Sequence, residues 1–226
     1  MKLSILTTAS FALLIPFAAN GAAPVISVDQ FLEAQGGSNA ASIDYGPTAA
    51  ASAIGGNRTI ETVVTTNTFS GTQAANSGIS GDLFVVSQGS GVTGTVGLSY
   101  AFTPTDVTSG GLNSHLVFTT LEADQDVQFQ ATIFNGGNSA VSTLTIDAVA
   151  LPGERIALPL VDFVPTGDTL ANILAGATAI DLLFTPPTAG DFVIDAIEFD
   201  VIPEPSRALL ALAGLMVGGL VRRRRA

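Results

Sequence analysis

The sequence predicts an all-β protein, an antiparallel β-sandwich of the jelly-roll type in a single domain. Short apolar stretches recur along the middle of the chain, and each is bounded by Gly, Asn, Ser, Asp or Pro. Several of them alternate apolar and polar residues with a period of two, as strands with one buried and one wet face do. The middle of the chain contains no long helical period. About ten short strands at regular spacing favour two packed sheets.

The first predicted strand covers residues 25–31. Residues 34–57 are rich in Gly, Ala, Ser and Asn and lack an amphipathic period, so we expect a long surface loop there. Gly55 and Gly56 precede a β-branched run, which favours a tight turn or bulge that leads into a strand. Arg58 follows this turn. We expect it to pair with a carboxylate at the edge of the core rather than to bind a ligand.

Six further strands are predicted in the middle of the chain. The clearest alternation lies between Val127 and Ile133, where every second residue is apolar. Asn135-Gly136-Gly137-Asn138 follows this strand and is a natural hairpin turn, so the strands on either side should pair antiparallel. The six predicted strands cover residues 60–66, 82–87, 92–102, 116–120, 127–134 and 141–149.

The last third adds three strands, at residues 155–161, 179–184 and 191–201, and one short helix at 169–174. Asp168 or Thr169 would cap the start of this helix and Gly176 its end. In the last strand Phe192 and Ile194 fall on one parity, whereas Ile197 and Phe199 fall on the other. A bulge near Ala196 and Ile197 would return all four side chains to one face.

The charge balance excludes one class of partner. Between residues 22 and 202 the chain has two arginines and 18 of its 19 acidic residues, a net charge of −16. Such a surface repels phosphates, so we expect no nucleic-acid binding. Neutral glycans or divalent cations fit better as partners. Acidity that serves only solubility is the alternative, and we favour it over a specific ion site. The chain has no cysteine, which excludes disulfides and thiolate metal sites.

The amino terminus has the three parts of a secretory signal peptide. Lys2 supplies the positive start, residues 3–18 form the apolar body, and Ala19-Asn20-Gly21 is a small-x-small cleavage site. We expect cleavage between Gly21 and Ala22. Residues 1–21 are therefore the predicted signal peptide, residues 22–202 the predicted β-sandwich domain, and export by the general secretory machinery follows.

The carboxyl terminus, residues 203–226, has a second ordered set of signals. Pro203, Glu204 and Pro205 disfavour helix and sheet. The apolar run 208–221 would make a helix of about 21 Å, short for a hydrocarbon core of about 30 Å. A basic cluster follows, and by the positive-inside rule it stays cytoplasmic, which puts the domain beyond the inner membrane. This cluster comprises Arg222, Arg223, Arg224 and Arg225.

This tail resembles the PEP-CTERM sorting signal of Gram-negative bacteria. The resemblance implies processing by a membrane-embedded exosortase, transient residence in the inner membrane, and delivery to the cell surface or to an extracellular polysaccharide matrix or biofilm. An ordinary C-terminal membrane anchor is the alternative. Residues 155–199, with Phe192-Val193-Ile194-Asp195-Ala196-Ile197, resemble the closing part of carbohydrate-binding jelly rolls. That second resemblance implies a polysaccharide ligand and a structural Ca²⁺ near Asp29 and Asp200.

The sequence offers little for catalysis. His115 is the only histidine, it lies beside a strand start, and no Gly-x-Ser-x-Gly motif occurs. Tryptophan, a common sugar platform, is absent. We therefore expect a non-enzymatic protein without an obligatory cofactor, with polysaccharide binding as the alternative to a purely structural role. A glycan hydrolase with two facing carboxylates is a third possibility.

Three alternating carboxylates are the local candidate for a metal site. Glu122, Asp124 and Asp126 have a spacing that can serve Ca²⁺, which prefers many oxygen ligands. The turn glycine and terminal glutamate of an EF-hand loop are missing. The same alternation describes a solvated turn between two strands, which is the interpretation we favour.

Overall fold

The computed structural model describes residues 24–39, 42–68, 75–148 and 153–202. The predicted signal peptide, the sorting motif and the C-terminal hydrophobic helix lie outside these ranges. Within them, the structure has fourteen strands and one α-helix. No helix in this part of the chain is long and apolar enough to cross a bilayer.

The strands form two seven-stranded antiparallel sheets. Sheet 1 has the order β11-β8-β14-β6-β5-β2, and β1 also pairs with β14; sheet 2 has the order β12-β10-β9-β13-β7-β4-β3. In chain order the elements are β1 (Ile26–Asp29), β2 (Gln35–Asn39), β3 (Ile43–Ala49), β4 (Asn57–Asn67), β5 (Ala75–Ser80), β6 (Leu83–Gln88), β7 (Val92–Thr105), β8 (His115–Ala123), β9 (Val127–Asn135), β10 (Asn138–Ile146), β11 (Glu154–Pro159), β12 (Val164–Thr166), α1 (Leu170–Ala175), β13 (Ala177–Thr185) and β14 (Asp191–Asp200).

Eight of these strands have jelly-roll connectivity. The four-strand order β6-β14-β8-β11 in sheet 1 faces β7-β13-β9-β10 in sheet 2. Along the chain from β6 to β14, every step between these strands changes sheet except the β9–β10 hairpin. This is the double Greek key of a jelly roll, so the predicted fold class is confirmed. β5 and β2 extend sheet 1 beyond β6, and β4 and β3 extend sheet 2 beyond β7.

Phenylalanine rings join the two sheets in the core. Phe118 of β8 meets Phe129 of β9 with ring centroids 4.5 Å apart, and Phe184 of β13 meets Phe192 of β14 at 5.0 Å. Phe84 of β6 lies 5.9 Å from Phe184. All five side chains are buried. Such pairs contribute roughly 0.5–1.5 kcal/mol each beyond the burial of their area.

Two local predictions are confirmed with their capping and turn residues. Asn135 pairs with Asn138 across Gly136 and Gly137, and Gly136 has φ 58, in the left-handed region that favours glycine. The helix α1 begins after Thr169, whose side chain accepts a hydrogen bond from the backbone N–H of Asn172, and Gly176 is its C-cap.

The predicted bulge in the last strand is also present, slightly earlier than expected. The register of β14 against β8 shifts between Ile194 and Ala196. Asp195 at this shift is exposed, whereas Ile194 before it and Ile197 after it are buried. The extra residue therefore returns the second half of the strand to the core face.

The predicted loop at residues 34–57 is wrong, because β2, β3 and a 3-10 turn at Ile54–Gly56 lie within it. The sequence Gln-Gly-Gly-Ser-Asn of β2 has no apolar alternation, yet it pairs with β5 through its backbone. Gly36 and Gly78 stand opposite each other, and a Cβ on Gly36 would lie 2.3 Å from the Ser77 carbonyl oxygen. Close approach of two backbones, rather than side-chain pattern, makes this strand.

Candidate functional site: the polar face of sheet 2

The three alternating carboxylates of the predicted metal site lie around the turn between β8 and β9. The Asp124 carboxylate accepts the backbone N–H of Asp191 at 2.7 Å, and that of Asp126 accepts the N–H of Ala148 at 3.0 Å. Glu122 is exposed on β8 opposite Val193. In the described part of the chain, no three acidic or histidine side chains are grouped as metal ligands. The solvated turn that we favour here, and calcium as its alternative, both stay predictions.

Asp29 and Asp200, the other two candidate calcium ligands, pair with different residues. Asp29 ends β1 beside Ile197, whereas Asp200 lies one residue beyond Phe199, which pairs with Ile26 at the start of β1. Each carboxylate binds an arginine: Asp29 binds Arg58 and Asp200 binds Arg155. The two acids therefore belong to separate ion pairs at opposite ends of the β1–β14 pairing.

Arg58 confirms the predicted pairing with a carboxylate, in a fully buried form. Its Nη1 donates to Asp29 Oδ2 at 2.6 Å, and neither side chain is exposed. Its Nη2 donates to the carbonyl oxygen of Glu33 at 2.7 Å and its Nε to Gln35 Oε1 at 3.0 Å. The guanidinium lies 5.8 Å from the ring centre of Phe31. Arg58 thus attaches the segment after β1 to β4.

The Asp29 carboxylate accepts further hydrogen bonds in this buried network. Tyr100 donates its hydroxyl to Oδ2 at 3.0 Å, and the backbone N–H of Phe31 donates to Oδ1 at 2.8 Å. Burial raises the pKa of Tyr100 well above its usual range, and the charge of Asp29 adds to the rise. Phe31 has φ 55, a left-handed conformation that its hydrogen bond to Asp29 holds in place. Asp29, Arg58 and Tyr100 are all buried, so their hydrogen bonds join β1, β4 and β7 inside the protein.

His115 is the first residue of β8, as expected for a residue beside a strand start. Its Nδ1 forms a 2.7 Å hydrogen bond with the hydroxyl of the adjacent Ser114. Asp200 is its cross-strand neighbour, but the carboxylate of Asp200 binds Arg155 at 2.6 Å. These contacts do not form the nucleophile–base–orienter chain of a hydrolase.

The outer side of sheet 2 presents a broad polar surface, here called the polar face. Antiparallel register aligns its outward residues in rows that run across β4, β7, β13, β9 and β10. Hydroxyls, amides and small side chains predominate in these rows, and none of the residues is buried. The two central rows are Thr59, Ser99, Asp181, Thr132, Val141 and Glu61, Gly97, Leu183, Gln130, Thr143.

A shallow depression of about 160 Å³ lies on this face. Its lining includes the small residues Ser99, Ala101 and Ala179 together with Thr59 and Asp181. In the next row Phe134 of β9, half-buried, lies beside Ala179. The hydroxyl and carboxylate groups of this lining can form hydrogen bonds with a ligand that carries many hydroxyls.

The polar face has no positive charge of its own among the described residues. Arg58 points into the core, and Arg155 lies on sheet 1, where it bridges Glu198 and Asp200. Asp44 and Glu61 face each other across β3 and β4, and both are exposed. The face therefore disfavours anionic ligands.

Sequence reasoning did not find this face. The alternation in β9 placed Gln128, Gln130 and Thr132 on the wet side of a strand, which is a usable signal. On one side their lateral neighbours come from the adjacent hairpin strand β10, but on the other they come from β13 and, beyond it, β7, which are not consecutive with β9 in the chain. No local pattern gives the register between such strands.

A second hollow, of about 430 Å³, lies on sheet 1 where β2, β5 and β6 are adjacent, and Gly36, Gly78 and Val85 are among its lining residues. Its polar side chains are those of Gln35, Asn76, Ser77 and Ser80. It is lined by no charged group, and it lies at the edge of the sheet that β2 forms. We therefore take the polar face as the candidate site.

The fold and this face define a jelly-roll sandwich with an uncluttered polar sheet surface. No family model matches the chain, and no curated protein matches its sequence. Among solved structures, a family 11 carbohydrate-binding module from Clostridium thermocellum in complex with a β-1,3-1,4-mixed-linked tetrasaccharide is 15% identical, with a TM-score of 0.41, over 80% of this chain and 97% of that one.

A structure of the family 11 module of the cellulosomal cellulase Lic26A-Cel5E gives 15% identity and a TM-score of 0.42, over 82% of this chain and 99% of that one. An agarase gives 12% identity and a TM-score of 0.38, over 62% of this chain and 22% of the agarase. No conclusion about ligand or activity rests on likenesses at this level. The sandwich itself follows from the strand pairing of this chain.

Proposed function

We propose that this protein is exported and acts, without catalysis, at the cell surface or in the extracellular matrix, where the polar face binds polysaccharide. The two terminal segments of the sequence support export and sorting. The acidic surface supports a neutral glycan over an anionic one. The observation that carries the proposal is the polar face itself, with Thr59 and Asp181 among the residues that line its depression.

The geometry of the face favours binding over cleavage. Hydroxyls and amides in register along several strands can donate and accept hydrogen bonds along an extended chain of sugars. Glycoside hydrolases use two carboxylates that flank the scissile bond, whereas Asp181 is the one acidic residue that lines the depression. Glu61 and Asp181 stand on either side of β7, where Gly97 and Ser99 lie. Glu61 and Asp181 are therefore the two carboxylates to replace in a test for glycan hydrolysis.

Glycan binding is tested by replacing either of two exposed alanines with phenylalanine. Ala101 lines the depression, and Ala171 on α1 is an equally exposed alanine elsewhere. Ala101→Phe should fill the depression and weaken binding of the best glycan in a screen at least about tenfold, whereas Ala171→Phe should leave it unchanged. Calorimetry with and without Ca²⁺ also measures the predicted calcium dependence. No saturable glycan, or equal effects of both substitutions, would refute a ligand on this face.

The same titrations distinguish binding from hydrolysis. We expect the glycan to be recovered intact after prolonged incubation with the protein. Release of reducing ends that disappears in Glu61→Gln or Asp181→Asn would show an enzyme and overturn the non-catalytic part of the proposal.

Sorting is tested separately at the carboxyl terminus. Removal of residues 203–226 should change where the protein accumulates, and replacement of Arg222–Arg225 by glutamine should weaken the orientation signal. Mass spectrometry of the mature chain should find cleavage after Gly21 and the loss of the arginines. An intact tail on a cytosolic protein would contradict export and sorting together.

A further inference from the structure

Both exits of the described domain lie at the same end of sheet 1. Ile26 at the start of β1 pairs with Phe199 near the end of β14. The neighbouring strands β8 and β11 also reach this end, because Ser114 donates its N–H to the Asp200 carbonyl at 3.1 Å and accepts the Leu160 N–H at 2.8 Å. The four adjacent strand ends therefore form one continuous edge, about 14 Å across at the usual strand spacing.

Three exposed apolar side chains stand along this edge, here called the apolar end. Val161 is 80% exposed, Leu112 is 53% exposed and Val25 is 52% exposed. They come from the loops beside β11 and β8 and from the residue before β1. Large apolar side chains with such exposure are costly in water when they are grouped.

The loops that carry these residues are held by hydrogen bonds. The 3-10 turn at Leu160–Asp162 buries Leu160 and turns Val161 outward, and Phe163 closes it from inside. Before Leu112, the carboxylate of Asp106 accepts the backbone N–H groups of Thr108 and Gly110 at 3.0 and 2.7 Å. These bonds, led by the Thr108 hydroxyl, lower the pKa of Asp106. The apolar display is thus a fixed part of the fold.

The length of chain after β14 limits how far the apolar end can lie from the predicted membrane segment. Five residues, 203–207, separate Ile202 from the apolar run that begins at Ala208. Even fully extended, the six steps between Ile202 and Ala208 span at most about 21 Å. A domain on so short a connection to an inserted segment keeps its β14 end against the bilayer.

We propose that the apolar end rests on the lipid surface while the tail is inserted, with Leu112 and Val161 in the interfacial region. The inference rests on the proposed function, since it requires the sorting tail to enter the membrane. Three side chains alone bind a bilayer weakly, but tethering makes the contact intramolecular and raises its effective concentration. Asp162 is exposed beside Val161, so the surface suits zwitterionic rather than anionic lipid.

The absence of native cysteine makes single-cysteine probes specific. The full-length chain is reconstituted into phosphatidylcholine vesicles with an environment-sensitive dye at Leu112→Cys or Val161→Cys, and iodide quenching is measured. Thr143→Cys on the polar face is the exposed control, and Gly214→Cys reports on the tail. Quenching at Leu112 and Val161 should be at least about threefold weaker than at Thr143.

The outcomes separate this inference from the proposed function. If the dye at Gly214 is protected while those at Leu112 and Val161 are quenched like the control, the apolar end does not touch lipid and the tail proposal stands. If the dye at Gly214 is also quenched, the tail does not insert and both fail. Protection of Leu112 and Val161 that persists without vesicles and grows with protein concentration would identify a second copy as the occupant and overturn the lipid contact. Each variant must melt like the parent.

Discussion

Removal of the buried arginine should be among the most damaging single changes in the domain. Arg58→Met keeps the length and apolar stem of the side chain but deletes three hydrogen bonds, at 2.6, 2.7 and 3.0 Å. Asp29 then stays buried as a carboxylate without its counter-charge. Breaking one side of such a pair typically costs about 3–5 kcal/mol, against a total domain stability of about 5–15 kcal/mol.

A second substitution tests whether the uncompensated charge causes the loss. Asp29→Asn in the Arg58→Met background removes the charge while its Oδ1 can still accept the Phe31 N–H. We expect the double variant to be more stable than Arg58→Met alone, with a coupling energy of about 2 kcal/mol in a double-mutant cycle. Urea unfolding followed by fluorescence or circular dichroism gives the four free energies. An Arg58→Met cost below about 1 kcal/mol, or a double variant weaker than either single one, would refute the reasoning.

Three further predictions concern other parts of the fold. The pKa of Tyr100 is raised by burial, so its neutral form stabilises the folded state below about pH 10 and that stability is lost as pH rises further; the pH slope of unfolding above pH 10 should shrink in Tyr100→Phe. Asp195 is the extra residue of the β14 bulge, so its deletion restores strict alternation and should keep both Ile194 and Ile197 on the core face. Thermal unfolding of this deletion variant should therefore show a loss below the roughly 2–5 kcal/mol expected for turning a large apolar side chain out of the core, and a loss in that range would contradict the bulge. The side chain of Arg155 is 42% exposed in its pairs with Glu198 and Asp200. Arg155→Met should therefore lower the free energy of unfolding in urea by less than about 1 kcal/mol. A decrease equal to that of Arg58→Met would contradict the distinction between buried and surface pairs.

The elements that the sequence predicts well are those whose cause is local. The β9–β10 hairpin depends on two glycines between alternating strands, and the bulge of β14 depends on a change of parity within ten residues. The pairing of β2 with β5 depends instead on contact between two backbones that are distant in sequence. Gly36 and Gly78 lie 42 positions apart in the sequence and only meet in the folded sheet. Their residues have low strand propensity, so tertiary pairing decides.

The candidate site divides in the same way. The sequence predicts that Arg58 needs a carboxylate, because an unpaired buried cation is costly. It does not identify Asp29, which is 29 residues away and which the resemblance to carbohydrate-binding jelly rolls places near a structural calcium. The polar face needs the register of five strands, and three of the four pairings between them join strands that are not consecutive in the chain. The sorting tail is the reverse case, since its meaning lies in consecutive residues and stays a prediction for experiment.

The pairing of the first strand with the last has a consequence for how the chain matures. Sheet 1 receives β14 at its centre, with β8 on one side and β6 and β1 on the other. In the proposed export the chain emerges amino end first, so the two halves of this sheet stay unjoined until residues 191–200 follow. Contacts of such long sequence separation form slowly. The domain would therefore complete its fold only when the segment next to the predicted tail has emerged.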